Sequence, residues 1–183
     1  MDEQLDFLKL IAARLDSCGM PYMITGSMAM AIYSQPRMTR DIDLVVELNP
    51  ADGDRLVELF REDCYIDSEA VRDAITRASM FNVIHKEWTA KADFIVRKNQ
   101  EYRKVEFARR RKVLVEQANV WVVSIEDLIL SKLVWRGQSR SELQLTDVRQ
   151  LITSNPKLDW AYLRRWAIEL RVEEALSEAE SNA

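Results

Sequence analysis

The sequence predicts an α/β (α+β) protein: a short mixed β-sheet flanked by helices, followed by a helical C-terminal region. Three observations carry this. Short apolar runs alternate with segments of helical period from residue 3 to residue 123. From Ser124 onward every segment has helical period. Gly and Pro number only four each in 183 residues, too few for long linkers. The expected division is a core over 1–123 and a helical region packed on it over 124–183.

Taken in order, residues 3–18 place Leu5, Phe7, Leu8, Ile11, Ala12 and Leu15 on one face of an amphipathic helix. Pro21 ends the turn after it. Residues 22–25 read as a strand, 27–34 as a helix, 35–40 as a loop and 41–47 as a strand closed by Asn49-Pro50. Residues 51–62 read as a helix capped by Asn49 or Asp52, and 68–78 as a second short helix. Residues 80–85 and 88–96 read as a strand pair joined at Lys86-Glu87. Residues 112–116 and 119–123 read as another pair. Ser124-x-x-Asp127 resembles a capping box and opens a helix. Further helices are expected over 141–153, 159–171 and 173–180.

Composition narrows the function classes. No apolar run approaches the roughly 20 residues needed to span a membrane. The acidic N-terminus lacks the order of a signal peptide, so a cytoplasmic protein is expected. Cys18 and Cys64 suit free thiols. A single histidine, His85, gives little support to a histidine zinc site or a Ser-His-Asp triad. The net charge of −4 argues against an indiscriminate nucleic-acid binder. Yet residues 97–112 hold eight basic and two acidic side chains, a surplus of six. Such a stretch is either a solvated face or an RNA-binding patch.

The chemistry concentrates at Gly26-Ser27 and, fourteen residues after Ser27, Asp41-Ile42-Asp43. Carboxylates two apart on a strand share a face. That pair suits a divalent metal, and such metals suit phosphate chemistry. Asp93, in the run Ala92 to Val96, could join them from a neighbouring strand. Gly26 permits close backbone approach. Ser27, at a helix N-terminus, offers a hydroxyl and N–H groups to phosphate. Arg37 and Arg40, in the loop before the Asp pair, could hold further phosphate oxygens.

Gly26-Ser27-Met28-Ala29, followed by Arg37-Met38-Thr39-Arg40-Asp41-Ile42-Asp43-Leu44-Val45-Val46, resembles the signature of the DNA polymerase β-type nucleotidyltransferase superfamily. The resemblance implies a minimal nucleotidyltransferase fold, with 1–123 as catalytic core. It implies that Gly26 and Ser27 cradle nucleotide phosphates. It further implies that Asp41 and Asp43 bind two Mg²⁺ (or Mn²⁺) and that Asp93 completes the metal at the attacking hydroxyl. Residues Val123 to Leu133 are similar to a segment of compact bacterial nucleotidyltransferases related to abortive-infection (AbiE-type) toxins. There a lysine faces the triphosphate and an Asp follows on the next helix, which points to Lys132 and, more loosely, Asp147. An ordinary surface lysine is the competing reading of Lys132. The toxins' Arg-Asp-x-x-Asp pattern is not intact here, since Leu145-Thr146 precede Asp147.

The resemblance therefore implies Mg²⁺-dependent transfer of a nucleoside monophosphate from an NTP, such as ATP, to an acceptor hydroxyl. The phosphate-holding residues would be Gly26, Ser27, Arg40 and Lys132. The acceptor is tRNA or another RNA in a toxin-like enzyme, with an antitoxin as a further expected partner. The alternatives are a small hydroxylated molecule, as in aminoglycoside nucleotidyltransferases, or a non-catalytic nucleotide-binding or partner-binding protein that kept the fold.

Overall fold

The structure, a computed structural model, describes residues 2–35, 41–139 and 141–181. Helix α1 spans Asp2–Ser17, strand β1 Tyr22–Ile24, helix α2 Gly26–Tyr33 and strand β2 Asp41–Val46. A 3-10 turn at Pro50–Asp52 leads into α3, Gly53–Phe60. Then follow β3 (Cys64–Ile66), α4 (Ser68–Arg77), β4 (Met80–His85) and β5 (Lys91–Val96). Helix α5 (Glu101–Ala108) precedes β6 (Arg111–Val115) and β7 (Ala118–Val122). The chain ends in α6 (Ile125–Ser139), α7 (Glu142–Ser154), α8 (Trp160–Leu170) and α9 (Glu173–Ser181).

The described strands form one mixed sheet of seven, in the order β3-β4-β5-β2-β1-β7-β6. Strand β2 lies at its centre, parallel to β5 and antiparallel to β1. The alternation of β2 and β5 divides the sheet into two faces. On one, Ile42, Leu44, Ala92 and Phe94 are fully buried. Phe94 stacks on Phe81 and meets Phe60 edge-on, so α3 covers this face. The other face carries Asp41, Asp43, Val45, Lys91, Asp93 and Ile95. Here α6 and α7 pack on α2.

Two elements depart from the sequence expectation. Strand β3 lies between the two expected helices, where the sequence predicts no element, because three residues cannot show a period of two. Within the basic stretch, for which the sequence predicts no single element, residues 101–108 form α5 and Arg111 and Lys112 open β6. The Asn49 and Asp52 cap does form, as a reciprocal box at the 3-10 turn. At α6 the Asp127 backbone N–H donates to Ser124 Oγ at 3.3 Å, while the Ser124 hydroxyl donates to Asp127 Oδ2 at 2.6 Å. The substituted Asp thus bonds the capping hydroxyl itself.

Asp127 is fully buried and ties the helical region together. Its carboxylate also accepts from the Tyr162 hydroxyl of α8 at 2.6 Å, the Tyr102 hydroxyl of α5 at 3.3 Å and Arg109 Nε at 2.9 Å. The Arg109 guanidinium lies 3.8 Å from the Tyr162 ring centroid. Breaking a buried ion pair from one side leaves the partner uncompensated and costs about 3–5 kcal/mol. Asp127→Ala is therefore expected to lower the melting temperature by roughly 6–20 °C. Tyr162→Phe, which deletes one hydrogen bond, is expected to cost about 1–3 kcal/mol. Thermal unfolding of both variants checks the order; equal stability of Asp127→Ala and wild type contradicts it.

Candidate active site

Parallel pairing of β2 with β5 sets Asp41 beside Lys91 and Asp43 beside Asp93. Antiparallel pairing of β4 with β5 sets Asn82 beside Asp93. Adjacent strands lie about 4.8 Å apart, so the three carboxylates occupy one patch of one face. The sequence-based expectation for Asp93 rested on a neighbouring strand, and this register supplies it.

The patch is held by cations and amide donors. Lys91 Nζ lies 3.4 Å from Asp41 Oδ1 and 3.2 Å from Asp93 Oδ1. Asn82 Nδ2 donates to Asp93 Oδ1. Asp43 has its pKa pushed up to about 6, chiefly by burial, then by the charges of Asp93 and Asp41. Lys132 and Lys91 act in the opposite sense. Neither Lys91 nor Asn82 was anticipated from the sequence. Lys91 was within reach, since it stands two residues before Asp93 and so shares its face. Asn82 needed the β4–β5 register.

Gly26 sits against Asp43. Its φ is +61°, a left-handed value that favours glycine. A Cβ added there would lie 2.1 Å from Asp43 Oδ2. The Thr25 N–H donates to the Asp43 carbonyl at 2.9 Å, locking the end of β1 to β2. Gly26 and half-buried Ser27 thus open α2 directly beside the carboxylates. The Thr25 side chain makes no capping bond to that helix. A helix N-terminus beside a metal-type carboxylate patch is placed to receive phosphate.

Lys132 is buried, which excludes the surface-lysine reading. Its Nζ donates to Asp147 Oδ2 at 2.7 Å and to Gln144 Oε1 at 3.3 Å. Its charge acts on Asp43, while Asp147 on α7 balances it in a buried ion pair. Arg37 and Arg40 lie outside the described residues.

The donor set fits a divalent cation bound together with phosphate. Hard carboxylate oxygens on rigid strands are the ligands Mg²⁺ prefers, and it usually takes one or two, with water and substrate phosphates completing the shell. Among the described residues no group of three or more acidic, His or Cys side chains is arranged to hold a metal ion by itself, so water and substrate phosphate would have to complete the shell. The Lys91 ammonium lies between Asp41 and Asp93 and balances part of their charge.

The basic stretch is partly neutralised within the fold. Arg97 pairs with Glu47, Arg103 with Glu106, and Arg109 with Glu126 and Asp127. Arg110 lies over Phe107 and Trp121. Lys98, Lys104, Arg111 and Lys112 remain exposed.

No curated protein matches the chain in sequence. Solved structures share its fold. An antigenic nucleotidyltransferase-like protein from Paracoccidioides brasiliensis superposes with a TM-score of 0.59 at 19% identity, covering 97% of this chain and 92% of the other. The antibiotic-resistance factor ANT(2″)-Ia gives 0.57 at 13% identity, covering 96% and 94%. The lincosamide antibiotic adenylyltransferase LnuA, solved with lincomycin bound, gives 0.55 at 12% identity, covering 84% and 97%. The profile of one sequence family, the nucleotidyl transferase AbiEii toxins of type IV toxin–antitoxin systems, matches residues 18–179. With nearly the whole chain matched, from the turn before β1 to α9, this protein belongs to the AbiEii nucleotidyltransferase family.

Proposed function

We propose that this nucleotidyltransferase carries out Mg²⁺-dependent transfer of a nucleoside monophosphate from an NTP to a hydroxyl of an RNA acceptor. The observation that carries the reading is the register of Asp43 with Asp93, which gathers Asp41, Asp43 and Asp93 beside the start of α2. Asp41, Asp43 and Asp93 would hold two Mg²⁺ (or Mn²⁺), which would supply neutralisation of phosphate charge and a lowered pKa at the acceptor hydroxyl. The N–H groups at Gly26 and Ser27 take the β and γ phosphates. Lys132, held by Asp147, adds positive charge behind them. Asp93, fixed by Asn82, faces the acceptor side. The acceptor oxygen forms a bond to the α-phosphorus, the bridging α–β P–O bond breaks, pyrophosphate leaves and the acceptor proton passes to solvent. The family's toxin–antitoxin membership makes an antitoxin a fitting partner. No described helix is long and apolar enough to cross a membrane.

A second reading, a small polycationic acceptor, has one observation in its favour. A cleft of about 730 Å³ between α6, α7 and α9 is lined by Glu142, Glu173, Glu174 and Glu178. Arg136 pairs with two of these, Glu142 and Glu178, which reduces the acidity a polycation needs. RNA is therefore the first reading.

Three measurements test the site. Wild type is incubated with each labelled NTP, Mg²⁺ or Mn²⁺, and either total tRNA or an aminoglycoside panel. Label is expected on RNA and absent with Asp43→Ala. Label on a drug favours the second reading, and failure to bind NTP–Mg²⁺ or to label anything removes the enzyme reading. Gly26→Ala is expected to lose at least about tenfold in kcat and to cost about 1–2 kcal/mol of stability. The added methyl meets both a positive φ and the Asp43 carboxylate. Unchanged kinetics would show that the carboxylate can move without loss.

Asp43 also makes stability pH-dependent. Its pKa is raised on folding, so the metal-free folded state binds more protons than the unfolded chain between about pH 4 and 6. This group's contribution therefore falls as pH rises through that window. Without metal, Asp43→Asn should raise the melting temperature at pH 7.5 and leave it unchanged near pH 4. Added Mg²⁺ should then stabilise wild type more than the variant. A metal-free variant less stable than wild type at pH 7.5 would refute the account.

A further inference from the structure

We propose that the open sheet face over β4 and β3 is the acceptor platform, and that it receives the unpaired end of an RNA strand. Three of the large apolar side chains exposed on this protein stand here: Tyr65 at 63%, Met80 at 51% and Ile84 at 39% exposure. Register puts them on one surface with the catalytic carboxylates. Tyr65 pairs with Ile84, Ile84 with Lys91, Asn82 with Asp93 and Met80 with Ile95. Directly paired residues share a face. Asn82 lies between Met80 and Ile84 on β4 and donates to Asp93. Whatever rests on Met80, Asn82 and Ile84 therefore reaches the carboxylate on the acceptor side of the patch.

This inference rests on the transferase reading and adds the acceptor's shape. An open surface of one aromatic and two flexible or branched apolar side chains suits the faces of unstacked bases, which any sequence offers. Lys91, at the Ile84 end, is engaged by Asp41 and Asp93 and offsets their charge, while exposed Lys98 follows the Met80–Ile95 pair by three residues. The platform positions Tyr65, Met80, Asn82 and Ile84 carry no carboxylate, whereas a polycation would need several. A paired RNA end would keep its bases stacked on each other and leave the platform unused.

The test uses the full chain in four forms: wild type, Tyr65→Ala, the double variant Tyr65→Ala/Ile84→Ser, and Leu114→Ser as a control on exposed β6, at the far edge of the sheet. Circular dichroism and thermal melting confirm folding. Fluorescence anisotropy without NTP measures binding of a 12-nucleotide unpaired RNA and of a hairpin whose end is base-paired. Calorimetry measures NTP–Mg²⁺ binding separately. Base stacking predicts that the double variant binds the unpaired RNA about tenfold or more weakly. Its KM for that RNA should rise in parallel, with NTP affinity and the control unchanged. The hairpin should bind wild type about tenfold or more weakly than the unpaired strand. The proposal is overturned if the double variant binds unpaired RNA within twofold of wild type, if the hairpin binds equally well, or if transferred label appears only on a small polyol or on protein. Loss of NTP–Mg²⁺ binding by wild type would remove the transferase reading, while the RNA arms would still decide the platform.

Discussion

The side-by-side placement of Asp43 and Asp93 on two parallel central strands is the constraint on which the rest of the structure depends. Like charges directly opposite each other destabilise a sheet, and burial makes the Asp43 charge costlier still. The strands cannot splay to relieve this, because their other face is locked by Ile42, Leu44, Ala92 and Phe94 in the core. The repulsion is therefore met by local groups. Lys91 bridges Asp41 and Asp93, Asn82 holds Asp93, and Lys132 acts on Asp43 from behind. Gly26 belongs to the same problem. With hydrogen in place of Cβ, the end of β1 can lie against the Asp43 carboxylate. Ground-state strain of this kind suits a site whose charge is completed by cation and substrate.

Electrostatics elsewhere follow a different rule. The arginines of the basic stretch mostly serve the fold. Arg103, buried Glu106 and Ser131 form a hydrogen-bonded group between α5 and α6. Arg109 does the same for Asp127 and Glu126, and Arg97 for Glu47. Burial raises the pKa of Glu106 and the Tyr102 and Tyr162 hydroxyls, yet each of these groups has partners. This is an internal polar network, whose value lies in being fully satisfied. A surplus of charge in a sequence window therefore overstates the charge available to a ligand.

Legibility in the sequence followed the range of the interactions concerned. Helices α1, α4 and α7–α9 showed in their periodicity, and the β2 and β5 strands in their apolar runs. The Gly26, Asp41 and Asp43 cluster was legible because its members are close in sequence and chemically unusual together. Asp93 was inferred from its run, but its pairing with Asp43 required register. Asn82 and Tyr65 stayed hidden for the same reason, since nothing local to β4 or β3 marks which strand lies beside them. Lys132 was ambiguous because α6 is apolar on most sides, so a lysine there reads equally as an exposed or a buried position. Its burial in the fold and its pairing with Asp147 on α7 resolve it.

The sheet face that bears the carboxylates is asymmetric, and that asymmetry bears on direction. On the carboxylate-bearing face α2 packs on β2, and α6 and α7 pack on α2, with the Lys132–Asp147 pair buried between α6 and α7. At β4 and β3 the face is open. A triphosphate gains most where water is excluded and N–H groups and a buried ammonium converge, because charge interactions strengthen as the local dielectric falls. A large acceptor gains most where no helix blocks its approach. Asp43 and Asp93 stand at the border between these halves. A phosphoryl group held from the covered side and a hydroxyl presented from the open side would then meet over Asp43 and Asp93, which the fold keeps together against their mutual repulsion.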